Sequence, residues 1–166
     1  MLILVCGLPA SGKSTLSRNL AKKIGAHVLR TDVIRKELIK KPSYTPEEKE
    51  LVYSVTLLVA RYLLRAGEIV ILDGTYYKRK LRKRVYKVAK ESGVKMVVIE
   101  CVVPDYIIQR RMDNRKRRKG QPSDADYQVY LKIKGEFQPI RRKHITVDTS
   151  KYYKDNLQEV LGQIWL

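Results

Sequence analysis

The segment Gly7-Leu8-Pro9-Ala10-Ser11-Gly12-Lys13-Ser14 satisfies the pattern G-x-x-x-x-G-K-[ST] at every fixed position. Glycine at 7 and 12 lets the backbone take a positive φ and come close to a phosphate. The loop amides then converge on a β-phosphate, with the N-terminus of the next helix aimed at it. In such a loop Lys13 bridges β- and γ-phosphates and Ser14 ligates magnesium. Pro9, Ala10, Ser11 and Thr15 complete the expected nucleotide-binding set. A chance match in a chain of this length is on the order of 1% or less. The loop also leaves an apolar strand and enters an amphipathic helix, as the motif requires. Nucleoside triphosphate with Mg2+ is therefore the expected ligand. No N-K-x-D-like guanine-specifying segment follows, so ATP is the expected nucleotide.

Two carboxylates stand where they could act on that nucleotide. Asp73 ends the apolar run Ile69–Leu72, and a strand C-terminus in such a sheet lies beside the phosphate loop. There it could hold the magnesium or a water on it. Asp32 and Arg35 are three residues apart at the start of a helix and share a face. Asp32 could accept the proton of an attacking hydroxyl while Arg35 holds a phosphate; the plainer alternative is a capping Asp with a surface Arg. Arg111 and Arg115 lie four apart in the basic helix Arg110–Lys119, placed to close over a transferring phosphoryl group. Thr75, Tyr76, Tyr77 and Lys78 follow Asp73 and form the candidate acceptor-binding segment, in which a tyrosine could stack on a base. A second basic run, Lys78–Arg84 with Lys87 and Lys90, has its charges around an exposed face and Leu81, Val85 and Val88 buried.

Positioning these groups takes alternating strands and helices. Leu2–Cys6 reads as a strand buried on both faces. Residues 13–24 form a helix, His27–Arg30 a short strand, and Asp32 is the expected cap of a helix starting near Val33. A long helix over 47–66 has Leu51, Val52, Val55, Leu58, Val59, Tyr62 and Leu63 on one apolar face. Ile69–Leu72, Met96–Val103 and Ile145–Val147 are the remaining strands. Helices cover Lys78–Glu91, Pro104 to about Lys119, Ser123 to about Gly135, and Asp155–Ile164. A βα unit repeated five times predicts an α/β fold with an open five-stranded parallel sheet flanked by helices. The chain reads as one domain, residues 1–166, with a helical lid at roughly 104–135.

Composition bounds the partners. The chain has 166 residues, 35 Lys and Arg against 17 Asp and Glu, and a net charge of +18. Hydrophobic residues make up 44%, which argues against a disordered basic tail. Charge of that size on a folded surface points to a polyanion, nucleotide or anionic membrane. No apolar run approaches the length of a membrane helix, and Leu2–Cys6 is too short for a signal-peptide core. Cys6 and Cys101 read as small buried side chains, and His27 and His144 as structural residues without metal-ligand spacing. A cytoplasmic protein with no obligate protein partner is expected.

The segments GLPASGKSTLSRNLA, TDVIRKEL, VILDGTYYKRKLR, IIQRRMDNR and ITVDTS together resemble the small P-loop kinases. That group includes the 5′-kinase domain of polynucleotide kinase and the kinase domain of seryl-tRNA(Sec) kinase. The resemblance spans nearly the whole chain and implies a P-loop NTPase fold of the nucleotide-kinase kind. It implies that Asp32, the Asp of the family's D-x-x-R pattern, activates the acceptor hydroxyl, with Arg35 as its partner. It matches Arg111 and Arg115 to the family's lid arginines. The implied activity is ATP- and Mg2+-dependent transfer of the γ-phosphoryl group to a hydroxyl, expected on RNA, tRNA or a polynucleotide. The alternatives are a small-molecule kinase and an RNA-binding ATPase without an acceptor.

Overall fold

A computed structural model describes residues 1–116 and 125–165, with the side chains of 115 and 116 left out. Five strands, β1 (Leu2–Cys6), β2 (His27–Arg30), β3 (Val70–Asp73), β4 (Met96–Val102) and β5 (Ile145–Asp148), form one parallel sheet in the order β2-β3-β1-β4-β5. The helices are α1 (Lys13–Ile24), α2 (Thr31–Leu38), α3 (Pro46–Arg65), α4 (Arg79–Glu91), α5 (Asp105–Lys116), α6 (Tyr127–Glu136) and α7 (Tyr153–Ile164). The predicted α/β architecture is what the chain adopts.

The central strand explains the layering. Side chains alternate across a strand, so a strand covered on both faces must be apolar throughout. Leu2, Leu4 and Cys6 pack with Leu57, Ala60, Leu64, Val85 and Val88 of α3 and α4. Ile3 and Val5 pack with Leu16, Leu20, Leu157 and Val160 of α1 and α7. A smaller third cluster joins Ala10 of the phosphate loop to Ile108 and Met112 of α5 and Tyr130 of α6. The region expected to be a lid is thus seated on the loop it would cover.

Three sequence expectations need correction. The buried face of α3 is Val52, Tyr53, Thr56, Leu57, Ala60 and Leu64, whereas Leu51, Leu58, Val59 and Tyr62 are exposed. Several stripes of this helix are apolar, and only the docking of α3 against β1, β3 and α4 chooses among them. Asp32 does not cap α2: Arg30 holds the N-cap position and Asp32 lies in the first turn. The exposed charged surface expected of α4 is broken at Arg82, which is 1% exposed. Its guanidinium donates to the carbonyls of Tyr76 (2.7 Å), Tyr77 (3.2 Å), Gln138 (2.5 Å) and Pro139 (3.1 Å). Buried charge is tolerated only when hydrogen-bonded in this way.

Candidate functional site

The carboxyl ends of β1, β2 and β3 and the N-terminus of α1 meet at one side of the sheet. A parallel sheet gathers ligands there, where the chain order reverses across β1. Gly7 has φ +143° and Gly12 φ +85°. A methyl added at Gly7 would stand 2.4 Å from the Cys101 carbonyl oxygen, and one at Gly12 3.0 Å from the Thr149 side chain. Glycine at both positions therefore answers a backbone conformation and a close approach at once. Lys13 Nζ donates to the Leu8 carbonyl at 2.7 Å, folding the lysine over the loop.

Asp73 reaches the same place through register. It pairs with Val5 on one side and Arg30 on the other, and is 3% exposed. Burial pushes its carboxyl up, opposed by Lys13, by the Ser14 hydroxyl bonded to it and by Arg30. Its Oδ2 is buried and has no hydrogen-bond partner. Asp32 lies beside it: its Oδ2 accepts from Arg30 Nη2 at 2.9 Å and its Oδ1 from the Val33 amide at 2.8 Å. Gly74 permits this approach, since a methyl there would meet the Thr31 hydroxyl at 2.8 Å.

A cavity of about 1090 Å³ joins these groups. Of the residues expected from sequence, Pro9, Ala10, Gly12, Lys13, Ser14, Thr15, Asp32, Asp73, Thr75 and Arg111 line it. Gly7 and Ser11 face a smaller apolar pocket behind the loop instead. Arg111 donates to the Ala10 carbonyl (3.1 Å), the Thr149 hydroxyl (3.0 Å) and the Thr149 carbonyl (2.6 Å), so it ties α5 to the loop and to the β5–α7 turn. The Arg115 side chain and residues 117–124 lie outside the described residues.

Other expected residues are placed elsewhere. Arg35 is turned away from the cavity and forms a buried ion pair with Glu48 of α3, with its guanidinium 4.8 Å from the centre of the Tyr44 ring. The shared helix face with Asp32 holds only for the backbone, because Glu48 captures the longer side chain. Tyr76 is fully buried, packs edge-on against Tyr53 at 5.2 Å, and cannot stack on an acceptor base there. Lys78 pairs with Glu136 at 2.9 Å and lies over the Tyr77 ring. None of the residues of α4 lines the cavity. Arg84 is drawn to Glu50 and Lys87 to Glu91.

The structure adds Arg30, Arg18, Thr149 and Tyr152 to the cavity wall. Thr149 belongs to the ITVDTS segment, so its motif was visible though its contact was not. Arg30 had one signal, a charged residue closing an edge strand just before Thr-Asp. Cys6 and Cys101 are buried free thiols, and burial pushes each up to about 12. Among the described residues no group of His, Cys, Asp and Glu forms a protein-only metal cage, and no helix is long and apolar enough to cross a membrane.

A family model described as an AAA domain matches residues 2–140. The chain belongs to this family. An uncharacterized protein of Mycobacterium tuberculosis is 33% identical to this AAA-domain chain over 130 residues, 68% of this chain and 26% of that protein. The chain thus spans about a quarter of the length of the mycobacterial relatives it matches. L-seryl-tRNA(Sec) kinase of Methanococcus maripaludis is 30% identical over 171 residues, 99% of this chain and 64% of that protein. The APS kinase CysC of M. tuberculosis, solved with AMPPNP and APS, has a TM-score of 0.79 at 18% identity, covering 99% of this chain and 97% of that one. That likeness, together with the family match, shows a P-loop NTPase fold.

Proposed function

We propose that the chain is an ATP- and Mg2+-dependent kinase that transfers the γ-phosphoryl group to a hydroxyl of an RNA or polynucleotide, acting in the cytoplasm. The observation that carries this reading is the meeting of Lys13, Ser14, Asp73 and Asp32 in one cavity. A phosphate-binding lysine, a hydroxyl–carboxylate pair and a second carboxylate are the parts that phosphoryl transfer needs, because the protein's task is positioning and charge stabilisation. The buried Asp73 Oδ2, which accepts no hydrogen bond and faces Arg30 Nε at 3.5 Å, and the Ser14 hydroxyl fit a magnesium ion, which characteristically takes one or two protein oxygens and completes its shell with water and phosphate. When bound there it would neutralise charge on the β- and γ-phosphates.

The chain's own residues do the rest. The loop amides and Lys13 hold the triphosphate in line. Asp32 accepts the proton of the acceptor hydroxyl. The acceptor oxygen forms a bond to the γ-phosphorus, the bond from that phosphorus to the β–γ bridging oxygen breaks, and ADP leaves with the electron pair. Arg111 orients α5 over the nucleotide, with Arg115 as its partner in the lid (residues 104–135).

An RNA acceptor is supported by the net charge of +18 and by the tRNA kinase relative, which matches along 99% of this chain. A small-molecule acceptor is favoured by a different observation: the basic run of α4 lies off the cavity wall. Incubation with γ-labelled ATP, total cellular RNA and a metabolite extract distinguishes them. Label in RNA is the expected result. Label in a metabolite alone would replace the acceptor, and ADP release without labelled product would leave an ATPase. Contact with about 6 phosphates would give log K against log salt a slope near about −5.

A further inference from the structure

Arg30 stands between the two carboxylates of the cavity. Its Nη2 is 2.9 Å from Asp32 Oδ2 and its Nε is 3.5 Å from Asp73 Oδ2. Strand register enforces this arrangement. Arg30 is the last residue of the edge strand β2 and pairs with Asp73, the last residue of β3. Adjacent residues in register on neighbouring strands point to the same face of a sheet. Asp73 is almost wholly buried, so its charge needs a cation close by.

From this geometry we infer that Arg30 is a positioning residue that takes the place of the divalent cation at Asp73, and that it exchanges Asp73 for Asp32 alone when a metal binds. This rests on the reading of Ser14 and Asp73 as metal-holding residues. The Arg30 Nε and Asp73 Oδ2 atoms make no hydrogen bond to each other or to any other group, and a guanidinium charge held 3.5 Å from that oxygen repels a second cation brought to it. Released from Asp73, it keeps its bond to Asp32 and so fixes the carboxylate oriented toward the acceptor. Loss of Arg30 therefore has effects of opposite sign: a metal competitor disappears, and Asp32 loses its tether. A residue with only a fold-supporting role would weaken both metal binding and turnover.

The test is equilibrium binding of Mn2+, followed by electron paramagnetic resonance, to the full chain saturated with a non-hydrolysable ATP analogue. R30M is compared with the unmodified chain, and melting curves confirm that it is folded. R30K retains a charge but cannot reach both carboxylates, so it supplies a folded second variant. R30M is expected to bind Mn2+ about tenfold more tightly, the scale on which one adjacent opposite charge biases a carboxylate, with R30K in between. D73N is expected to lose most of the binding in either background. Unchanged or weaker Mn2+ binding in R30M and R30K would overturn the inference while leaving the metal site intact. No Mn2+ binding to the unmodified chain would overturn the metal site itself, and the inference with it.

Discussion

Arg35 and Glu48 form a buried ion pair between α2 and α3, and this pair removes from the cavity an arginine that its motif would place there. Glu48 also accepts from the Ser43 amide (2.6 Å), the Ser43 hydroxyl (3.0 Å) and the Tyr44 amide (3.0 Å). The carboxylate thereby closes the loop between the two helices onto the first turn of α3. Burial alone would raise the Glu48 carboxyl, but the Ser43 amide and hydroxyl, Arg35 and the Tyr44 amide bring it down to about 2.

A carboxyl whose pKa is depressed in the folded state stabilises the fold above its unfolded value and loses that contribution as pH falls toward the folded one. The pair should therefore support stability fully above pH 4.5, and progressively less down to about 2. E48Q should flatten this part of the acid limb in melting temperature against pH. R35A should lower the melting temperature yet leave ATP-analogue affinity within about twofold, since Arg35 does not line the cavity.

Asp32→Asn keeps the shape of the side chain and removes its capacity to take a proton. Turnover on the true acceptor should fall by about 10²–10⁴, the usual contribution of a positioned base. Nucleotide affinity, measured by calorimetry with ADP, should change by less than about threefold. Near-normal turnover in D32N would remove Asp32 from the proposed proton path.

Gly12→Ala meets two obstacles at once, a φ of +85° and the Thr149 side chain 3.0 Å from the new methyl. Strain of this kind costs on the order of 1–3 kcal/mol. The loop would relax by shifting its amides away from the phosphates, so ADP affinity should drop at least about tenfold. Adding T149S should restore little, because it removes the Cγ2 at 3.2 Å but leaves Cβ and Oγ1 at 3.0 Å, and the backbone strain remains.

Arg82 satisfies four carbonyls from a fully buried position. R82M should take their guanidinium donor from all four, leaving the Tyr77 carbonyl only the Gln138 amide, and cost about 3 kcal/mol, read as a lower denaturation midpoint in urea. The Tyr76–Tyr77 segment and the 137–139 segment would separate first, seen as faster amide exchange at Gln138, whose N–H now donates to the Tyr77 carbonyl at 2.9 Å.

The thiols of Cys6 and Cys101 should be inert in the folded protein. Burial raises both to about 12, and the thiolate is the reactive form. A thiol-specific dye should titrate none within minutes under native conditions and both after denaturation.

The sequence by itself determined the sheet, the order of its helices and the phosphate loop. These are local matters: the two-sided apolar run of β1, the helix-period segments, and glycines whose backbone freedom no other residue matches. It also placed Asp73 at a strand end and Asp32 at the start of the helix that follows one, where a parallel sheet collects its ligands. What it could not reveal was the destination of long charged side chains. Arg35, Arg82 and Arg30 look alike in sequence, yet one is buried on Glu48, one on four carbonyls, and one between Asp32 and Asp73. An arginine reaches several ångströms from its backbone and is directed by whichever carboxylate or carbonyl the tertiary fold leaves unsatisfied. Those partners lie 13, 56 and 43 residues away for Arg35 and Glu48, Arg82 and Gln138, and Arg30 and Asp73, beyond the reach of any local pattern. The same reason governs α3, where several apolar stripes compete and only packing against the sheet and α4 selects the buried one.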